Sequence, residues 1–344
     1  MYLTQKMKTE LNWWYENIDT QNMVIDYGNP DFSITTDASL EGWGAVKSKF
    51  QINGRWNDIE KTFHINYLEL LAIFYAIKAF CKKITDKHVQ ILSDNSSSVA
   101  HINNMGGIKS MQMNELTKSI WSFCIDRNIW ISSAHIPGKS NSADGPSRQF
   151  NDNIEWMLDK SIFLKLVEIW GKPSIDLFAS RLNHQLPRFA SWKPDPDDEI
   201  VDAFSISWSN DYLYMFPPFS LISRCIQKVI ADKAETLMIL PFWPTQNWYS
   251  LLMEFLIDKS VLLPRRRKLL TIPYSDKTHP LTNQIRLMAC RISGQITKTK
   301  EFQKKQPKSY LHLGEEVQRN SMHITSVDGF VSVTKGRLIR FVQL

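Results

Sequence analysis

Apolar and polar residues alternate with a period of two over 32–37 (FSITTD), which predicts a strand with one buried face. A small-residue turn leads into 44–52 (GAVKSKFQI), and Asn53-Gly54 then reads as the turn back through Arg55 and Trp56, giving a meander. From 66 to 82 the chain is nearly all helix-compatible and mostly apolar, so this helix is predicted to be buried on most sides. A strand follows at 88–94. Asn95 or Ser96 then caps a helix that stops at Gly106-Gly107. A helix at 112–126, a strand at 129–135 and a polar loop into a short last helix complete the run. Three strands, a helix, a strand, two helices and a strand predict an α/β fold with a mixed sheet flanked by helices.

A second α/β pattern starts with DNIEWMLDKSIF at 152–163. It continues through SIDLFAS (174–180), an irregular stretch rich in Pro, Asp and Trp (187–210) and LYMFPPF (213–219). A helix at 221–233, a strand at 236–242, a helix at 245–256 and a strand before Pro264 follow. After about 295, basic and polar residues dominate (KTKEFQKKQPK), and 295–344 is expected to be a linker or tail. The expected division is therefore 1–30, 31–150, 151–294 and 295–344. In the first segment Leu11-Asn12-Trp13-Trp14-Tyr15 reads as the end of something packed.

With 43% hydrophobic and 22% charged residues, the 344-residue chain has the composition of a globular protein long enough for two cores. Its formal net charge of +6 suits a polyanionic partner without requiring one. The four cysteines (Cys81, Cys124, Cys225, Cys290) are widely spaced with no Cys-x-x-Cys pair, which argues against a zinc site or disulfide framework and fits a reducing compartment. No signal core opens the sequence and no run of 18 uncharged apolar residues exists, so no membrane partner is expected.

Four acids stand where this pattern makes them awkward. Asp37 ends the first strand, Glu69 lies inside the buried helix without an in-helix cation, Asp94 ends an apolar strand, and Asp144 follows the last strand in KSNSADGPSR. Taken singly, Asp37 suits a turn, and Asp94 and Asp144 suit helix caps; Glu69 has no such explanation. A buried carboxylate needs a donor, a cation or a metal. Hard oxygen donors suit Mg²⁺ or Mn²⁺, and two such ions would serve an in-line phosphodiester cleavage.

The segments TTDASLEGWGAV (35–46), HINYLELLAIFYAI (64–77), ILSDNSSSVAHINNMGG (91–107) and HIPGKSNSADGPSR (135–148) together resemble the RNase H domain of retrotransposon reverse transcriptases, above all those of DIRS-like elements. The resemblance covers about 30–150. It implies an RNase H fold, two Mg²⁺ or Mn²⁺ ions on Asp37, Glu69, Asp94 and Asp144, and hydrolysis of RNA in RNA–DNA hybrids. Two departures stand out: the loop PGKSNSA lacks the histidine many cellular relatives carry there, and Gly145-Pro146 follows Asp144 where relatives continue a helix. Lys47, Lys49, Arg55, Asn95 and Lys109 are the candidate nucleic-acid contacts, reading backbone shape and 2′-hydroxyls.

Residues 174–250 resemble the region that follows RNase H in DIRS-like elements and a degenerate Dam-type adenine methyltransferase, through SIDLFASRLNHQLPRF, YMFPPFS and MILPFWPTQNWY. That family has Asp or Asn before Pro-Pro-Tyr/Phe; here Phe216 precedes Pro217, Pro218 and Phe219. Phenylalanine accepts no hydrogen bond from a target amino group, so methyl transfer is expected to be lost. The leading expectation is a retroelement ribonuclease. An inactive nucleic-acid-binding relic, a methyltransferase and a transposase on the same fold are its rivals. A reverse transcriptase domain upstream in a parent polyprotein, whose connection would end in 1–30, and an intracellular location in cytoplasm or nucleus complete the expectations.

Overall fold

In a computed structural model, residues 3–19, 28–151, 155–274, 279–280, 284–308 and 331–344 are described. A first helix, α1 (Gln5–Asn17), is followed by β1 (Phe32–Ala38), β2 (Gly42–Lys47) and β3 (Phe50–Arg55), then α2 (Ile65–Cys81) and β4 (Lys87–Ser93). Helices α3 (Ser96–Asn103) and α4 (Met111–Ile125), strand β5 (Ile129–His135) and the short helix α5 (Asp144–Arg148) complete the first unit. The sheet order is β3-β2-β1-β4-β5, with β1, β2 and β3 antiparallel and β1, β4 and β5 parallel. Parallel neighbours need crossovers, and the helical segments 65–81 and 96–125 supply them.

The period-two pattern decides which face is buried. Val89, Ile91 and Ser93 of β4 and Ile129, Ile131 and Ser133 of β5 point into the core, where α2 contributes Leu68, Ala72, Ile73, Ala76 and Ile77. One expectation needs correction here. The hairpin turns at Ser48-Lys49, not at Asn53-Gly54: Lys47 pairs with Phe50, and Ser48 takes φ 55°. Gly54 lies inside β3 opposite Trp43, where a Cβ would come within 2.8 Å of the indole Nε1, so its missing side chain serves close packing.

Beyond 155 lie β6 (Met157–Leu158), α6 (Lys160–Trp170), β7 (Ile175–Asp176), the bridge pair β8 (Ala190–Ser191) and β9 (Ile200–Val201), and β10 (Tyr212–Met215). Then come α7 (Ile222–Ala231), β11 (Glu235–Pro241), α8 (Asn247–Glu254), β12 (Val261–Leu262), β13 (Leu270–Thr271), β14 (Leu287–Ser293) and α9 (Ile296–Lys305). The last strands are β15 (Val331–Thr334), β16 (Arg337–Arg340) and β17 (Val342–Gln343). The main sheet has the order β17-β12-β14-β11-β10-β7. Both faces are covered: along β11, Met238 and Leu240 join one core and Leu237 and Ile239 the other. A strand buried on both sides reads as a continuous apolar run, and TLMILPF is one.

The expected linker at 295–344 is not one in the described residues. Phe302 of α9, Ile339 of β16 and Phe341 are buried in the second core, and β17 pairs with β12. Charges on α9 misled because they occupy its exposed face. The aromatic stretch 11–15 is also not packed: it lies on α1 with Trp14 and Tyr15 exposed, and Glu10 of α1 pairs with Lys118.

The two units have separate hydrophobic cores and meet through polar groups. Arg181 forks onto Glu60, with Nη1–Oε1 2.7 Å and Nη2–Oε2 3.1 Å, donates to the carbonyl of Arg55 at 2.7 Å, and stacks on Tyr75. Lys82 donates to the buried Asp198 carboxylate at 2.5 Å, and Lys78 pairs with Asp197.

Candidate active site

Asp37 and Asp94 owe their positions to strand register. In the parallel pair β1–β4, Thr35 lies opposite Leu92, so both acids emerge side by side at the carboxyl ends of adjacent strands. Glu69 comes from the second turn of α2, which packs across this sheet. One carboxylate oxygen from each of Asp37, Glu69 and Asp94 lies within 4.8 Å of the others. Asn95, not Asp94, caps α3: its Oδ1 accepts from the Ser98 N–H at 2.9 Å, leaving the Asp94 side chain to the cluster. Gly138 lets the loop after β5 pass close, since a Cβ there would lie 3.0 Å from Asp94 Oδ2.

The electrostatics follow from crowding three acids, two of them buried, at one place. Burial, reinforced by Asp37 and Asp94, pushes Glu69 up to about 8, while the Ala38 N–H supplies a partial counterweight. Its Oε2 is buried without a hydrogen-bond partner. Asp37 is raised as well, mainly by burial, although the Ser147 hydroxyl bonded to it works in the opposite direction. An orphaned buried carboxylate oxygen beside two other carboxylates is the donor set that a hard divalent cation satisfies. Asp37, Glu69 and Asp94 therefore fit Mg²⁺ or Mn²⁺.

Asp144 stands apart from these three. It opens α5, its side chain is 51% exposed, and it pairs with Arg148 one turn on at 2.9 Å. Its charge nevertheless reaches Asp37 and helps raise it. Gly145-Pro146 does not break α5, because proline is tolerated in a first turn where its missing N–H has no partner to lose. Glycine at 44 lets α5 sit directly on β2: a Cβ there would come within 2.5 Å of the Ser147 nitrogen.

Sequence reasoning missed Asn141 and Ser147. Asn141 donates from Nδ2 to the Thr36 carbonyl at 3.1 Å and to Asp37 Oδ1 at 3.2 Å, while the Ser147 hydroxyl donates to Asp37 Oδ2. Both are buried small polar residues in the stretch that carries Asp144, and that juxtaposition was the available signal. His135 ends β5, and its Nε2 bonds the Asp94 carbonyl at 3.0 Å.

The candidate nucleic-acid contacts scatter. Lys47 lies over the Phe32 ring at 3.8 Å, Lys49 is exposed at the hairpin turn, and Lys109 is exposed beyond α3. Arg55 pairs with Glu41 and stacks near Phe150 and Tyr274 at the junction of the two units. Asn95 also donates to Asn66 at 3.0 Å, so its amide is committed within the fold. In the second unit Phe216 follows β10 and packs against the core, Pro217 is buried, Pro218 is exposed, and Phe219 meets Trp243 edge to face. No helix among the described residues is long and apolar enough to cross a membrane.

Residues 29–114 match the family model for the RNase H-like domain found in reverse transcriptase. The enzymatic polyprotein of cauliflower mosaic virus (strain D/H) is 31% identical over 136 residues, covering 34% of this chain and 19% of that protein. The chain thus spans about a fifth of the length of this curated relative. Among solved structures, LC11-RNase H1 in complex with an RNA/DNA hybrid aligns at 19% identity and a TM-score of 0.30 over 34% of this chain and 93% of that one. Prototype foamy virus protease-reverse transcriptase aligns at 12% identity and a TM-score of 0.22, over 46% and 23%. Residues 29–114 are accordingly similar to the RNase H-like domain found in reverse transcriptase.

Proposed function

We propose that residues 31–150 form a metal-dependent ribonuclease H that hydrolyses the RNA strand of RNA–DNA hybrids. The observation that carries this reading is the convergence of Asp37, Glu69 and Asp94, with Glu69 Oε2 buried and unpartnered. These three side chains would hold Mg²⁺ or Mn²⁺, and Asp144 would join them once its bond to Arg148 opens. Bound there, a pair of divalent ions supplies an activated water and charge stabilisation for the leaving 3′-oxygen. The chain's own residues do the rest. Ser147 and Asn141 fix both oxygens of Asp37, and the Ala38 N–H steadies Glu69. Arg148, 60% exposed beside the acids, is placed to meet a backbone phosphate, an exchange that would release Asp144.

The test is cleavage of a strand-labelled RNA–DNA hybrid by the full chain in Mg²⁺ or Mn²⁺, beside an Asp94→Asn control. RNA-strand cleavage lost in the variant and with chelator is expected. Hybrid binding without cleavage would instead favour an inactive, nucleic-acid-binding relic.

The motif contexts support a DIRS-like source, an upstream reverse transcriptase as partner, 1–30 as the end of its connection, and action in cytoplasm or nucleus. For residues 151–294 we infer a methyltransferase-like ancestry without methyl transfer. A strand, β10, leads straight into Phe216-Pro217-Pro218-Phe219, and Phe216 lacks the acceptor the chemistry needs. Labelled methyl transferred from S-adenosylmethionine to DNA by the purified chain would overturn this inference.

A further inference from the structure

Asn53 bonds both to the second unit and to the segment of the first that carries Ser147. Its Nδ2 donates to the carbonyls of Pro146 (3.2 Å) and Gln149 (2.5 Å), the two ends of the turn that carries Ser147. Its Oδ1 accepts from the ammonium of Lys193 at 2.7 Å. An amide offered two carbonyls on one side and a cation on the other has a single satisfactory orientation. A flip would turn Oδ1 towards the two carbonyls and Nδ2 towards the ammonium, so Lys193 adds its own penalty to the loss of the carbonyl bonds.

Lys193 belongs to the second unit, and its loop is braced within that unit and tied to the first through Lys82. Asp198 accepts from Ser191 and from the Asp195 N–H while it binds Lys82, and the Arg181 N–H donates to Asp195 at 2.9 Å. The ammonium is thus delivered by a braced loop and not by a side chain searching from solvent. At the other end of the relay, Ser147 donates to Asp37, and α5 is five residues long, about 8 Å from end to end at 1.5 Å per residue.

We propose that Lys193 is a positioning residue for the acidic site: through Asn53 it fixes α5, and through Ser147 it fixes the carboxylate of Asp37. The second unit is then part of the catalytic apparatus of the first, although it touches no reacting atom. This proposal rests on the ribonuclease reading for its effect on rate, but not for its effect on α5.

The test uses the full chain with Lys193→Met, which keeps the aliphatic stem, Lys193→Arg, which restores the donor, and Asn53→Ala. Amide exchange at 144–149 is read by hydrogen–deuterium exchange, Mn²⁺ binding by calorimetry, and hybrid cleavage by kcat and KM. In Lys193→Met we expect exchange over 144–149 to quicken by about tenfold while that of β11 is unchanged. Mn²⁺ binding should weaken severalfold, and kcat should fall by about tenfold at constant hybrid KM. Lys193→Arg should restore all three, and Asn53→Ala combined with Lys193→Met should be no worse than Asn53→Ala alone. Unchanged exchange over 144–149 and unchanged Mn²⁺ binding in a folded Lys193→Met would overturn the proposal. Quickened exchange and weakened Mn²⁺ binding in a chain that cleaves no hybrid would uphold the relay and overturn the ribonuclease reading.

Discussion

Glu69 shows how one residue couples stability to the proposed chemistry. The folded chain holds its proton up to about pH 8, whereas the unfolded chain releases it near the ordinary value of 4.5. The native state therefore binds more protons across that window, and stability falls as the pH rises through it. Asp176, fully buried at the end of β7 and raised to about 7 by burial, adds to the same slope over the lower part of the window. We predict that the metal-free protein melts at lower temperature at pH 8 than at pH 5.5. Mn²⁺ should remove the Glu69 share of the difference and leave that of Asp176. Glu69→Gln should raise metal-free stability at pH 8 by roughly 1–3 kcal/mol while abolishing stabilisation by Mn²⁺. A melting temperature for Glu69→Gln that stays below the parent's at pH 8 and still responds to Mn²⁺ would contradict this account.

Elements carry the acids to one place, and the tightest fit among them is that of α5 on β2. Gly44→Ala forces a Cβ against the backbone of Ser147 and Ala143, where no flexible side chain can yield. We expect a loss of about 1–3 kcal/mol in chemical denaturation, together with weaker Mn²⁺ binding as Ser147 moves off Asp37. A neutral Gly44→Ala would mean that α5 is looser than described. The strands, the buried helix and the acids at their ends were legible in the sequence because period and burial dictate them locally. The hairpin turn was not: Asn53-Gly54 has the composition of a turn, but its amide serves α5 and its missing Cβ serves Trp43. Charged α9 read as a tail because only its Thr299 and Phe302 are buried. Asn141 and Ser147 were invisible as partners of Asp37 because their bonds span more than a hundred residues.

At the scale of the whole molecule, the junction is polar where each core is apolar. A forked arginine–carboxylate pair with both side chains 9% exposed costs desolvation that its geometry must offset, and the added bonds to the Arg55 carbonyl and the Tyr75 ring do part of that. Such a junction contributes orientation more than adhesion, as the relay through Lys193 requires. No pattern along the chain announced it, because its members are far apart in sequence, between Asn53 and Asp198.

The second sheet is closed by residues far along the chain: β17 lies beside β12, and Ile339 and Phe341 fill the core. During synthesis the first sheet and its acids are complete once Arg148 has emerged, while the second has an open edge until 331–344 leave the ribosome. Strand β12 therefore waits, its edge unpaired, from Leu262 until Val342 is made, about eighty residues of translation. For that interval the edge is open to pairing with other chains, and the hazard grows with the time elongation takes.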